Sequence, residues 1–304
     1  MRVLVTGATG QLGTDLRAFL AHDRNVSFAD RSQIDLLSQE SVRRGLDDYE
    51  PDVVINAAAY TAVDSAEDNE ATTFAINARA PEAMAAWLRI RRGVLIHFST
   101  DYVFDGGKPS PYSEDDPTSP LSVYGRSKLE GERAIQCSGA DHFIFRTSWV
   151  FAHHGRNFLL TMLRLFGERE LVRVVADQHG APTCSFDLAR FVTDRVLPDL
   201  RASRTRRDDV PAPPFGLYHL TAHGRTTWHG FASAILEESR VFPKLANAQR
   251  AIRIEPIDTD QYATRATRPK NSLLSGSKLR AQFGAGLSDW RDQLRACLAR
   301  LADA

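Results

Sequence analysis

The chain has 304 residues, 43% apolar and 25% charged, the profile of an ordinary globular protein with room for two domains or one large α/β unit. Its 38 Lys and Arg are balanced by 38 Asp and Glu. A neutral chain lacks the positive field that attracts nucleic acid or an anionic membrane, so neither is expected as a partner.

Val3–Thr6 predicts a strand and Gln11–Ala21 a helix, with Leu12, Leu16, Phe19 and Leu20 along one side. A strand at Val26–Ala29, a helix at Ser38–Asp48 opened by Ser38 as N-cap, and a strand at Val53–Asn56 follow. The helical stretch Thr72–Arg91 carries Pro81, which should kink or divide it. Val94–Ser99 and His142–Arg146 read as a fourth and fifth strand, with a helix at Ser122–Gln136 between them. Apolar strands alternating with helices predict a doubly wound α/β domain, its parallel sheet covered on both faces.

Beyond about residue 150 the pattern weakens. Helices are expected near Asn157–Phe166, Phe186–Val196, Thr227–Glu237 and Ser288–Leu301, with strands near Val172–Val175, Leu217–Leu220 and Ile252–Glu255. The stretch Pro198–Phe215 holds four prolines, four arginines and three aspartates and reads as a solvated loop. The expected organisation is a dinucleotide-binding domain over 1–150, with later segments free to return to it, and a smaller, mainly substrate-binding α/β lobe over 151–304.

No apolar run reaches the roughly 18–20 residues of a membrane span, and Val3-Leu4-Val5 is too short for the apolar part of a signal peptide. Cys137, Cys184 and Cys297 are far apart and odd in number, which argues against a disulfide framework and for a reducing cytoplasm. The nine histidines, His153-His154 and His219, His223 and His229 among them, lack ligand spacing and nearby carboxylates, so no metal site is expected.

Thr6-Gly7-Ala8-Thr9-Gly10-Gln11-Leu12-Gly13 joins the first strand to the first helix with the spacing G-x-x-G-x-x-G. A pyrophosphate needs a tight turn, a backbone without Cβ where it approaches, and a helix start with free N–H groups. Gly7, Gly10, Gln11, Leu12 and Gly13 are therefore assigned to a dinucleotide. At the end of the second strand, Asp30 suits ribose hydroxyls, as NADH requires, whereas Arg31 suits the 2′-phosphate of NADPH. Both cofactors stay open. Asp35 and Leu36 are placed to flank the adenine, and the small Ala58 and Ala59, followed by Tyr60 and Thr61, would let the cofactor lie against the backbone.

Tyr124 and Lys128, at i and i+4, share one helix face. Ketone reduction needs a hydride and a proton for the developing alkoxide, and an ordinary phenol, with a pKa of about 10, is a poor donor near neutrality. A cationic Lys128 would lower that pKa and could also bond the nicotinamide ribose. Ser99 and Thr100 end the fourth strand, where a hydroxyl can share the carbonyl oxygen with Tyr124.

With these residues the chain resembles the extended short-chain dehydrogenase/reductases, whose sheet is of the Rossmann type. Within them it is most similar to the dTDP-4-dehydrorhamnose reductase family. The likeness runs through TGATGQLG (6–13), PDVVINAAAYTAVDSAE (51–67), HFSTDYVFDG (97–106), YGRSKLEGE (124–132), FRTSWVF (145–151), DQHGAPT (177–183), GLYHLTAHGRTTWHGFA (216–232) and ATRPKNSLL (266–274). The resemblance implies reduction of the C4 ketone of dTDP-4-dehydro-β-L-rhamnose, a dTDP-linked 4-keto-6-deoxy sugar, by NADPH or NADH. Tyr124 would donate the proton, Lys128 tune it and Thr100 orient the oxygen. Asp101 would hold a sugar hydroxyl, Trp149 offer an aromatic wall and an indole N–H, and Arg265 and Arg268, near Asn271, meet the diphosphate.

Related dehydratases follow the threonine with an Asp-Glu pair; here Tyr102 follows Asp101, and a phenol cannot serve as that carboxylate base. Some relatives are magnesium-bridged dimers. The acidic positions this would need are Phe186 and Ser277 here, which leaves Asp15 without partners. Magnesium is therefore not expected to be needed, and a monomer or weak homodimer is expected. Two alternatives stand beside this reading: a reductase or epimerase of another nucleotide-linked 4-keto sugar, and a non-catalytic regulatory subunit.

Overall fold

The computed structural model describes residues 1–205, 213–245 and 252–303. It opens with β1 (Val3–Thr6), α1 (Gln11–Leu20), β2 (Val26–Ala29), α2 (Gln39–Tyr49) and β3 (Val53–Asn56). The short α3 (Val63–Ala66) and α4 (Glu70–Phe74) lead through a π-helical turn at Ala75–Arg79 into α5 (Ala80–Arg91). Then come β4 (Val94–Thr100), a 3-10 turn at Asp101–Val103, α6 (Val123–Ser138) and β5 (Asp141–Thr147). After β6 (Val150–Phe151), α7 (Phe158–Glu168), β7 (Leu171–Val175), β8 (His179–Gly180) and β9 (Thr183–Cys184), the chain forms α8 (Ser185–Phe191), a second π turn at Val192–Val196 and α9 (Leu197–Thr205). It closes with β10 (Gly216–His219), β11 (Thr226–Thr227), α10 (Trp228–Ser239), β12 (Arg253–Ile257), α11 (Ser277–Phe283) and α12 (Trp290–Asp303).

Six strands form one sheet in the order β10-β5-β4-β3-β1-β2, parallel at every pairing. Strands β1, β3 and β4 are buried along their whole length, which is why they read as continuous apolar runs. One face packs Leu12 and Leu16 of α1 with Leu188 and Phe191 of α8 and Leu200 of α9; the other packs Leu46 of α2, Leu88 of α5 and Ile135 of α6. Burying each such side chain contributes about 1.5–3 kcal/mol. Strand order changes direction beside β1, so the loops after β1 and β3 open a crevice at the carboxyl edge, where ligands of such sheets bind.

The chain returns to this sheet after residue 151: β10 pairs with β5, and α8 and α9 cover the face shared with α1. The remaining second half builds a smaller lobe whose core joins Phe151, Phe166, Phe231, Trp290 and Leu294, with β7 and β12 as a parallel pair.

The helical run containing Pro81 is divided, as expected, at the π turn just before it. The loop expected over 198–215 is instead helical to Thr205, and the π turn at Val192–Val196 lets the helix pass Pro198. Positions 206–212 of that stretch lie outside the described residues. Among the described residues, no helix is long and apolar enough to cross a membrane.

Candidate active site

The glycine turn has the shape a diphosphate requires. Gly7 has φ +72°, and a Cβ on it would lie 2.6 Å from the Ala58 amide, so the β1 and β3 loops touch only because the side chain is absent. A Cβ on Gly13 would overlap the Gly7 carbonyl. Gly10 precedes α1 and no side chain caps this helix, which leaves its first amides facing the crevice. Leu12 is buried beneath the turn. Buried polar atoms without a protein partner gather here and at the neighbouring strand ends: Gln11 Oε1, Ser99 Oγ, Asp101 Oδ2 and Thr147 Oγ1. Each would cost about 1–3 kcal/mol if left unmet, so the crevice suits a ligand that brings hydroxyl or amide donors, while the free amides of α1 suit its anionic part.

At the end of β2, Asp30 Oδ1 accepts from the Ser32 amide (2.8 Å) and hydroxyl (2.6 Å), bonds that hold its carboxyl below the usual range. Arg31 is largely exposed, 3.9 Å from Asp35. Asp35 accepts from the Leu37 amide, and Leu36 packs partly against the core under β2. After β3, the half-buried Ala58, Ala59 and Tyr60 line the crevice, and Thr61 is exposed. The Tyr60 amide donates to Asn77 Oδ1 (2.8 Å), and Asn77 Nδ2 donates back to the Tyr60 carbonyl (3.1 Å) and to Ser127 Oγ (3.0 Å).

A buried polar chain crosses the sheet toward α6. Thr6 Oγ1 donates to Asn56 Oδ1 (2.8 Å); Asn56 Nδ2 lies 3.1 Å from His97 Nδ1, and His97 Nε2 lies 3.1 Å from Lys128 Nζ. Lys128 also donates to the Phe98 carbonyl (2.7 Å). Burial brings Lys128 down to about 8, opposed by Glu132. Glu132 is itself paired with Arg146 of β5 at 2.9 and 2.7 Å, so α6 is pinned to the sheet one turn beyond the lysine.

Tyr124 lies at the start of α6, whose N-cap Ser122 accepts from the Gly125 amide. Gly125 is required there because a Cβ would overlap the Tyr102 carbonyl. Burial raises the Tyr124 phenol to about 12, opposed by the neighbouring Thr100 hydroxyl. The expected lowering by Lys128 is thus not what this arrangement produces: the lysine head is turned toward Phe98 and His97. Thr100 Oγ1 donates to Asp101 Oδ1 (2.9 Å) and accepts from the Tyr102 amide (3.1 Å). Burial pushes Asp101 up to about 7 and raises Tyr102 further above its ordinary value. The Tyr102 and Tyr124 rings meet edge to face at 6.0 Å.

Trp149, at φ +47°, stacks on Trp228 with centroids 3.7 Å apart and donates its indole N–H to Ser272 Oγ (3.1 Å). The N–H expected to serve a sugar is therefore committed to Ser272. Arg268 grips Asp64 at 2.7 and 3.2 Å, and Arg265 pairs with Asp68, so both arginines join the second half of the chain to α3 and the turn after it. Arg268 also borders a cavity of about 670 Å³ lined by Phe158, Met162, Gln178, Trp228 and Tyr262. Asn271 donates to the Lys108 and Ser110 carbonyls.

His154 Nε2 lies 3.1 Å from Asp15, and the Ser185 hydroxyl donates to it. Ligand atoms of Asp15, His153 and His154 all lie within 4.8 Å of one another, closer than their sequence positions suggest. Sequence reasoning passed over His97, Asn77, Trp228 and Ser272. A histidine inside the apolar strand Val94-Leu95-Ile96-His97-Phe98 was a readable signal; the contacts of Ser272 and Trp228 were not.

The model of the RmlD substrate binding domain family matches residues 1–303. A dTDP-4-dehydrorhamnose reductase of Burkholderia thailandensis is 46% identical over 301 residues, covering 99% of each chain. The crystal structure of a dTDP-4-dehydrorhamnose reductase from Clostridium acetobutylicum superposes with a TM-score of 0.87 at 32% identity, covering 99% of both chains. One from Bacillus anthracis in complex with NADP gives 0.85 at 31% identity, covering 98% of this chain and 99% of that one. With its glycine turn, its Thr-Tyr-Lys constellation and these full-length matches, the chain belongs to the dTDP-4-dehydrorhamnose reductase family.

Proposed function

We propose that this chain reduces the C4 ketone of dTDP-4-dehydro-β-L-rhamnose to dTDP-L-rhamnose, using NADPH or NADH. The observation that carries the reading is the placement of Thr100 at the carboxyl end of β4 and of Tyr124 at the start of α6, beside the crevice opened by the glycine turn. The names of the full-length relatives support the substrate.

Gly7, Gly10, Gln11, Leu12 and Gly13 would hold the diphosphate, Ala58, Ala59, Tyr60 and Thr61 the middle of the cofactor, and Asp30, Arg31, Asp35 and Leu36 its adenosine end. When bound, reduced nicotinamide dinucleotide supplies the hydride to C4. Tyr124 gives its phenolic proton to O4 as the C=O π electrons move onto that oxygen, so one C–H and one O–H bond form. Thr100 turns its hydroxyl from Asp101 to the same oxygen, and Ser99 offers its unpaired hydroxyl to the cofactor. Lys128 balances the charge left on the phenolate.

Asp101 holds a sugar hydroxyl, while Tyr102 stands where a dehydratase would carry its second carboxylate. The stacked Trp149 supplies the wall, and the cavity beside Trp228 and Arg268 has a volume suited to the nucleotide end. Arg265 and Arg268 serve the diphosphate. The chain acts as a cytoplasmic monomer or weak homodimer, and no step of the chemistry calls on magnesium.

Tyr124→Phe keeps the ring and removes the proton. Turnover is expected to fall by about 10²-fold or more, while fluorescence titration shows unchanged affinity for the reduced cofactor. Wild-type turnover in this variant would remove Tyr124 from the reaction.

A further inference from the structure

We propose that His97 is a positioning residue that favours the amine form of Lys128, and so sets the alkaline limit of turnover. The Asn56 Oδ1 accepts from the Ala58 amide (3.2 Å), and a backbone N–H can only donate, so the oxygen faces Ala58 and Nδ2 faces His97. Nδ2 then donates to His97 Nδ1, which puts the proton of the neutral ring on Nε2. That Nε2–H points at Lys128 Nζ, 3.1 Å away.

An ammonium has three donors and no lone pair, so it cannot accept this bond; an amine can. The amine also satisfies the Phe98 carbonyl and keeps one N–H to spare. Protonating His97 would offer two donors and relieve nothing. Complete burial keeps the ring neutral.

On α6, Glu132 favours the ammonium, but both its oxygens are held by Arg146 of β5. Tyr124 lies one turn before Lys128 on α6; His97 approaches from β4, and Asp101 lies beyond Thr100. Proton uptake at Nζ forces the head away from Nε2–H and toward the Tyr124 side of the crevice. Where the amine persists, the phenolate left by proton transfer has no cation beside it, and reduction slows.

This inference rests on the roles of Tyr124 and Lys128 proposed above, and the test separates the two. The kcat/KM for the keto-sugar, which reads the unloaded enzyme, is followed from pH 6 to 10 in the wild type, His97→Gln and Asn56→Asp, with folding checked by thermal melting and cofactor titration. H97Q can turn its amide oxygen to Nζ. N56D presents a carboxylate that takes the ring proton on Nδ1, so that Nε2 accepts from the ammonium. Both should move the alkaline limb, near pH 8 in the wild type, upward by about one unit or more, a tenfold gain in turnover at high pH. A limb that stays in place in either folded variant overturns the proposal. Nitrogen-15 spectra of the labelled wild type give an independent reading: the Nε2–H tautomer supports the proposal and the Nδ1–H tautomer overturns it. Tyr124→Phe run alongside distinguishes the failures. If it is inactive while the limb stays fixed, only the role of His97 falls; if it turns over normally, the whole site assignment falls.

Discussion

Asp101 has one oxygen on the Thr100 hydroxyl and the other buried without a partner. Burial raises its carboxyl from 3.8 to about 7, so the fold favours the protonated acid. The sign follows directly. Below pH 3.8 both folded and unfolded chains are protonated and the shift has no effect. Between there and about 7 the unfolded chain ionises while the folded one resists, so stability falls as pH rises. Above about 7 the loss levels off, on the order of 4 kcal/mol for a shift of this size. Asp101→Asn cannot ionise. Its melting temperature relative to the wild type should climb from pH 4 to about 7 and then stay flat, as read by fluorimetry across a buffer series. A difference independent of pH would mean that the carboxylate is not penalised.

The two π turns each stand just before a proline. At Ala75–Arg79 the Ala80 amide reaches back to the Ala75 carbonyl, and Pro81 has no N–H to offer Asn77; at Val192–Val196 the Leu197 amide reaches Val192, with Pro198 next. A wider turn lets the helix pass a residue that cannot donate and whose ring crowds the carbonyl four positions earlier. At the first site this has a functional consequence. The Asn77 carbonyl faces Gly131 of α6 so closely that a Cβ there would overlap it, while the Asn77 side chain clasps Tyr60 and Ser127. Gly131→Ala should therefore push α6 from the π turn, cost about 1–3 kcal/mol of stability and weaken reduced-cofactor binding through the Tyr60 loop. Thermal melting and cofactor titration would show both effects; unchanged values would mean that the two helices separate freely.

These elements also show what the sequence makes legible. Buried parallel strands leave apolar runs, so β1 and β3 lie where the runs lie, and Ser38 caps α2 by accepting from the Ser41 amide. The glycine turn and the Tyr124–Lys128 pair can be read because each depends on close spacing. Proline marks a disturbance but not its kind, so the Pro198 segment reads as a loop although it is helical to Thr205. Spacing puts Lys128 on the same face as Tyr124, yet the direction of its head depends on His97, a residue 31 positions away.

At the scale of the molecule, residues 264–275 form a strap between the two halves of the chain. One side is stitched to the sheet domain: the Ala266 amide and the Arg268 guanidinium bond Asp64, and Tyr112 exchanges backbone bonds with Leu273 and Ser275. The other side bonds His179 of β8 through Lys270 and Ser272. Arg268 therefore has two candidate duties, holding this seam and meeting a diphosphate, and they predict different kinetics. If it only holds the seam, Arg268→Ala and Asp64→Asn weaken the same pair and should raise KM for the keto-sugar equally. If it turns to the diphosphate, losing the guanidinium removes charge-assisted bonds worth about 1.5–3 kcal/mol, whereas D64N merely loosens a competing grip. We expect the second pattern. R268A should raise KM by about tenfold or more with cofactor affinity unchanged, and D64N should leave KM near or below the wild-type value while lowering the melting temperature. Steady-state kinetics on both variants decide the matter, and equal losses would reduce Arg268 to a clasp between the lobes.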